Sequence, residues 1–272
     1  MDLEYGTLLS PNPIKLSFGT LRQPTLNEID KEITISQFTI FESFLKMTPK
    51  IYYTKVLENS GGCEIWDKFS EEEQDSMTMY DVIKSDLKVR LTYLAILNFF
   101  FVERIEYLDE YFISIKQTVD KNKKLEDMTK DDVQAVVNEE FFFEIIDIIQ
   151  QTCCIRDKKT TEKPPKYKNS KAKKIYEKIL KAQKEKEEQE AKKNGVNLSL
   201  ANIISAVSNK HTTISPLNVW DLTVFQLHDS FGRLQVNNLF EIDCMRVSTW
   251  GDEKKTFDMS LWYKNNFDKP QD

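Results

Sequence analysis

Residues 215–235, SPLNVWDLTVFQLHDSFGRLQ, restrict the chain more than any other segment. Leu217, Trp220, Val224, Leu227, Phe231 and Leu234 recur at steps of 3, 4, 3, 4 and 3. That spacing puts all six on one face of a helix. Ser215 stands where a cap accepts a backbone N–H, and Pro216 takes the first-turn position where a missing N–H costs nothing. The spacing predicts a long amphipathic helix from Ser215 that needs a packing partner.

The rest of the composition excludes more than it selects. Glycine occurs 7 times in 272 residues, too few for phosphate-cradling loops or for an all-β fold with many tight turns. The longest apolar run, YLAILNFFFV over 93–102, contains Asn98 and is far short of a membrane span. The opening residues, MDLEYGTLLSPNP, lack the basic and apolar regions of a signal peptide. Four cysteines, two of them adjacent at Cys153 and Cys154, do not make a disulfide framework. A reducing cytoplasm is the expected setting. Charge is unevenly spread: residues 156–194 hold 15 Lys and Arg against 7 Asp and Glu, a net of +8. The remainder holds 23 against 37, a net of −14, so a basic segment is tethered to an acidic body.

Along the chain, IKLSF (14–18) alternates and is followed by Gly19, predicting a short strand or hairpin. Thr25 with Glu28 forms a capping box. Phe38, Phe41, Phe44 and Leu45 share a helical face that ends at Thr48-Pro49, where a second helix begins. Asn59-Ser-Gly-Gly62 is a break, and Ser70 and Thr78 start further helices. Residues 87–102 are apolar almost all round, as a buried central helix would be. RIEYLDEYFISI (104–115) switches to period two about Asp109-Glu110, a β-hairpin. Thr129 is expected to cap a helix through Cys153. A lysine-rich linker over 156–169 leads into an exposed helix that stops at Asn194-Gly195, and a helix over 199–208 follows.

No reactive constellation stands out. His211 and His228, the only histidines, lie 17 residues apart. His211 sits in the polar loop NKHTT, and His228 reads as a boundary residue of the long helix. Cys153-Cys154 lacks the spacing of zinc or redox motifs. DKNKKLEDMTKD (120–131) imitates a calcium loop but has Lys124 at a ligand position, Leu125 where glycine is required, and no terminal Glu. Lysines with Tyr167 and Tyr176 suit nucleic acid in principle, yet Arg is scarce there, Glu is interspersed, and the body is acidic. A solvated linker is the stronger reading, and no cofactor or metal is called for. In Phe141-Phe142-Phe143 only part of the run can face inward on a single helix, which leaves a contact patch as the alternative to full coverage.

The segments NLSLANIISAVSNKHTTISPLNVWDLTVFQLHDSFGRLQ (197–235) and VSTWGDEKKTFDMSLWYKNNFD (247–268) resemble proteins of the tail modules of bacteriophages and prophages of low-GC Gram-positive bacteria. LLSPNPIKLSFGTLRQPTLNEI near the start and FFFEIIDIIQQTCC in the middle are similar to the same group, whereas residues around 156–194 are not part of the likeness. Its members include tail assembly chaperones, small acidic helical proteins. The resemblance implies a non-enzymatic chaperone in the host cytoplasm, binding the long apolar tape measure protein while tail tube subunits polymerise round it. At 272 residues this chain is longer than many of them.

The expected fold is mainly α, a helical body with a small N-terminal β element and one internal β-hairpin. Residues 1–155 form the body, 156–197 a lysine-rich linker and exposed helix, and 198–272 a C-terminal helical part. Phe142, Phe143, Trp220, Phe225, Phe231, Trp250 and Trp262 are the candidate partner-binding anchors. The tape measure protein, and tube subunits beside it, are the expected partners, with no role for a membrane and nucleic acid the weaker alternative. A structural tail completion or baseplate component is the competing reading, followed by a nucleic-acid-binding regulator.

Overall fold

The computed structural model describes residues 2–120, 122–156, 198–252 and 256–264. The fold is mainly α with two small antiparallel sheets. Two compact units divide it: one holds residues 2–156 with 220–228, the other 198–219 with 229–264.

The first unit opens with α1 (Tyr5–Leu9) and the hairpin β1 (Ile14–Leu16) and β2 (Gly19–Leu21). Gln23, buried, donates from Nε2 to the carbonyls of Thr7, Ser10 and Asn12 and so organises the connecting loop. α2 (Leu26–Glu32) starts at the predicted Thr25–Glu28 capping box. α3 (Thr34–Leu45) buries Phe38, Phe41 and Leu45 at the expected spacing. Thr48 caps α4 (Pro49–Ile51), which continues as a π turn over Tyr52–Val56.

The Asn59–Gly62 break is shorter than the sequence suggests. Gly61 takes φ 75°, and α5 (Gly62–Lys68) begins at once. Gly62 is required because a Cβ there would lie 2.1 Å from the Tyr53 carbonyl oxygen. α6 (Glu71–Ser76) and α7 (Met79–Ser85) both carry full capping boxes, from Ser70 and Thr78. Asp86 caps α8 (Leu87–Phe100) by accepting from the amides of Lys88 and Val89, and it also accepts from the Tyr52 hydroxyl.

α8 is central but not enclosed. Val89, Tyr93, Ile96, Leu97, Phe99 and Phe100 are buried, while Leu87, Leu91, Ala95 and Asn98 lie exposed along the opposite side. An apolar sequence all round a helix shows which residues are greasy, not which are covered.

The second sheet has the order β3-β4-β5, with β3 (Ile105–Leu108), β4 (Tyr111–Ile115) and β5 (Val133–Val137). The hairpin turns at Asp109-Glu110 as expected, both residues at positive φ, 49° and 69°. Two-residue hairpins of this kind favour glycine at the second position. Glu110→Gly is therefore expected to raise stability by about 0.5–1 kcal/mol, read as a higher urea midpoint. The exposed Lys84–Glu110 pair at 3.8 Å is too long and too solvated to offset that gain.

β5 corrects the sequence reading. Thr129 caps a single 3₁₀ turn (Lys130–Asp132), and Val133–Val137 pairs with β4 instead of continuing as helix. Three valines in five residues favour the pleated partner surface that β4 offers. The helix proper, α9 (Glu139–Thr152), starts at Asn138, whose side chain accepts from the Phe141 amide. Phe142, one of the candidate anchors, is 1 % exposed and stacks on Phe112 at 5.6 Å, with Tyr80 and Tyr93 at 5.3 and 5.5 Å. It belongs to the core of this unit rather than to a contact surface. Burial pushes the Tyr80 phenol up to about 12, and its hydroxyl donates to the Glu110 carbonyl at 3.0 Å.

α10 (Leu200–Lys210), in the second unit, is capped by Ser199 and buries Leu200, Ile203, Ile204 and Val207. The long helix differs from expectation at its start. It is α11 (Val224–Trp250), and its reciprocal cap is Thr223 with Gln226, not Ser215. Residues 215–218 form a turn closed by the Asn218 side chain on Ser215, and Val219–Asp221 is a 3₁₀ turn. Leu217 is 92 % exposed. The helical spacing from Leu217 to Val224 spans two separate turns that happen to match its period.

Candidate interaction surface

α11 changes character along its length. Val224, Phe225 and Leu227 are buried in the first unit, where Phe225 meets Tyr5 edge-on at 6.2 Å and Gln226 donates to the Leu9 carbonyl at 2.8 Å. From His228 to Trp250 no residue is buried. Burial, with Lys46 nearby, holds the His228 imidazole below 6.5. Well above pH 6.5 the ring is neutral in both folded and unfolded chains and adds no pH dependence. As pH falls below 6.5 the unfolded chain takes up the proton first, so stability drops until the lower folded value is passed. His228→Gln should remove that slope, at most about 1.4 kcal/mol per pH unit. Thermal unfolding of both forms at pH 7.5 and pH 5 measures it.

The second unit then folds back along its own helix. Gly251, at φ 75°, donates to the Val247 carbonyl at 2.8 Å and ends α11. Asp252 accepts from the amides of Thr256 and Phe257 at 3.0 and 2.9 Å, which turns the chain. Phe257 stacks on Phe240 at 5.8 Å, and Arg233 donates to the Lys264 carbonyl at 2.7 Å. Residues 256–264 thus run antiparallel beside the helix as a strap. Asp258 accepts from Lys264 and Ser260, which hold its carboxyl down at about 2.

What the strap leaves open carries a row of large apolar side chains among polar ones. Leu239, Ile242 and Met245 recur every three residues on α11 and are 59, 57 and 62 % exposed. Trp250 is 78 % exposed, and Met259, Trp262 and Tyr263 are more than half exposed. A monomer seldom presents so many large apolar side chains within 25 residues without a use for them.

Of the sequence-predicted anchors, Trp250 and Trp262 lie here in the open, and Phe143 is 40 % exposed on α9 in the other unit. Trp220 and Phe231 are half-buried, and Phe225 is fully buried, so its ring is available only to the core. Leu239, Ile242, Met245 and Met259 were not singled out by sequence reasoning. The missing signal was the absence of any helix breaker between Gln235 and Gly251, with apolar residues still spaced at helical intervals.

Among the described residues no three His, Cys, Asp or Glu side chains could hold a metal ion. His211 accepts through Nδ1 from the amides of Thr213 and Ile214, a loop-closing role. Cys153 is buried at the end of α9 and Cys154 is half-buried; burial pushes the Cys153 thiol up. No described helix is long and apolar enough to cross a membrane. The lysine-rich segment and the nucleic-acid reading built on it lie outside the described residues.

The exposed surface falls in a part of the chain that matches a protein-family model. Residues 186–266 match the YomV second domain, a phage-associated family. The match spans under a third of the chain and marks the protein as phage-related. No curated protein and no solved structure matches the chain.

Proposed function

We propose that the protein is a non-enzymatic assembly factor of a phage tail, a chaperone that binds the tape measure protein through the surface on α11 and its strap. The observation that carries this reading is the row Leu239, Ile242 and Met245, left open inside the phage-associated segment. A tape measure protein is a long helix with apolar stripes, and a helix of that kind is held by laying its stripe on another apolar face. Methionine and tryptophan suit a surface that accepts successive, similar stripes, because Met adapts its shape and Trp supplies area. A net charge of −6 keeps such a complex soluble.

Co-expression with the tape measure protein of the same phage tests the proposal. The tape measure protein is expected to become soluble and to co-purify with this chain. Recovery of this chain in purified, finished particles at fixed stoichiometry would instead favour a structural tail component.

A further inference from the structure

The charges around the open row specify what kind of helix fits it. Each cation on the described part of α11 and the strap is already used within the chain. Arg233 faces Asp229 at 3.9 Å, Arg246 holds Asp243 at 3.0 Å and also reaches Thr256, and Lys264 is bound to Asp258. Glu241 is exposed, one helical turn before Met245, and has no ion-pair partner among the described residues. Among the described residues the row is thus bordered by one carboxylate without an ion pair and by no unpaired cation.

Its size suits a single partner helix. Leu239 to Trp250 covers 12 residues, about 17 Å of helix or three turns.

We infer that this face takes an amphipathic helix of at least three turns with a Lys or Arg beside its apolar stripe, set against Glu241. This rests on the reading of the face as a binding surface and adds the partner's charge. A second copy of α11 fits less well. Antiparallel pairing about Ile242 would place Glu241 of each copy opposite Asp243 of the other, a carboxylate that Arg246 already holds, so no cation is left there to meet Glu241.

Fluorescence anisotropy of the full chain with two synthetic leucine-striped peptides of 18 residues, one lysine-flanked and one glutamate-flanked, tests the inference. At low salt the lysine-flanked peptide is expected to bind about threefold tighter or more, from one exposed pair gained and one repulsion avoided. Glu241→Gln should reduce that preference, and Ile242→Glu should weaken both peptides together. Equal binding, or tighter binding of the glutamate-flanked peptide, overturns the charge assignment and leaves helix binding standing. A lysine preference undiminished in Glu241→Gln overturns it too, because the attraction would then come from the chain's net charge. If neither peptide binds, both this inference and the proposed use of the face fail.

Discussion

Phe142→Ala is expected to destabilise the first unit by about 3–5 kcal/mol, the cost of removing a fully packed aromatic ring and leaving a cavity. The ring is 1 % exposed and is the common neighbour of Tyr80, Tyr93 and Phe112, which join α7, α8, the hairpin and α9. For a unit of this size the loss corresponds to a melting point lower by about 10 °C. Phe143→Ala, one residue on, is expected to cost about 1 kcal/mol, since that side chain is 40 % exposed and touches the cluster only at its edge. Differential scanning calorimetry of the two variants reads the contrast. Equal effects would mean that α9 does not present Phe142 inward.

The second large effect concerns binding rather than folding. Ile242→Glu with Met245→Glu replaces two exposed apolar side chains on α11 by residues that favour helix. Thermal stability is expected to stay within about 1 kcal/mol of the parent, because neither side chain is buried. Affinity for the helical partner should fall by more than tenfold, as when central apolar anchors are lost. A pull-down of the co-expressed tape measure protein by parent and variant measures it. Unchanged recovery would remove this row from the interface.

Local chemistry in the sequence predicted most of the elements. Thr25, Ser70 and Thr78 each carry an acidic residue three positions on, and each begins a helix. Asp109-Glu110 sits between two alternating runs and makes the hairpin turn. The failures have a shared cause. Thr129 and Ser215 are also good caps, but tertiary context decides whether a helix follows. Beyond Thr129 the edge of β4 captures the valines, and beyond Ser215 the cap formed by Thr223 and Gln226 starts the helix instead. Exposure was harder still. Periodicity places Leu91 on α8 correctly, yet nothing local says that no other element covers it, and the sequence reading of the long helix stopped short of Ile242. The surface is legible only once the strap from Thr256 to Lys264 has been traced and its uncovered side seen.

Hydroxyl-radical footprinting of the chain, free and with the tape measure protein, tests most directly whether α11 and its strap are the binding surface. Met and Trp are among the largest open side chains there, so each can report its own coverage. Met245, Trp250, Met259 and Trp262 should oxidise readily in the free chain and become protected in the complex. Protection confined to residues 87–102 or 141–143, with those four unchanged, would contradict the account.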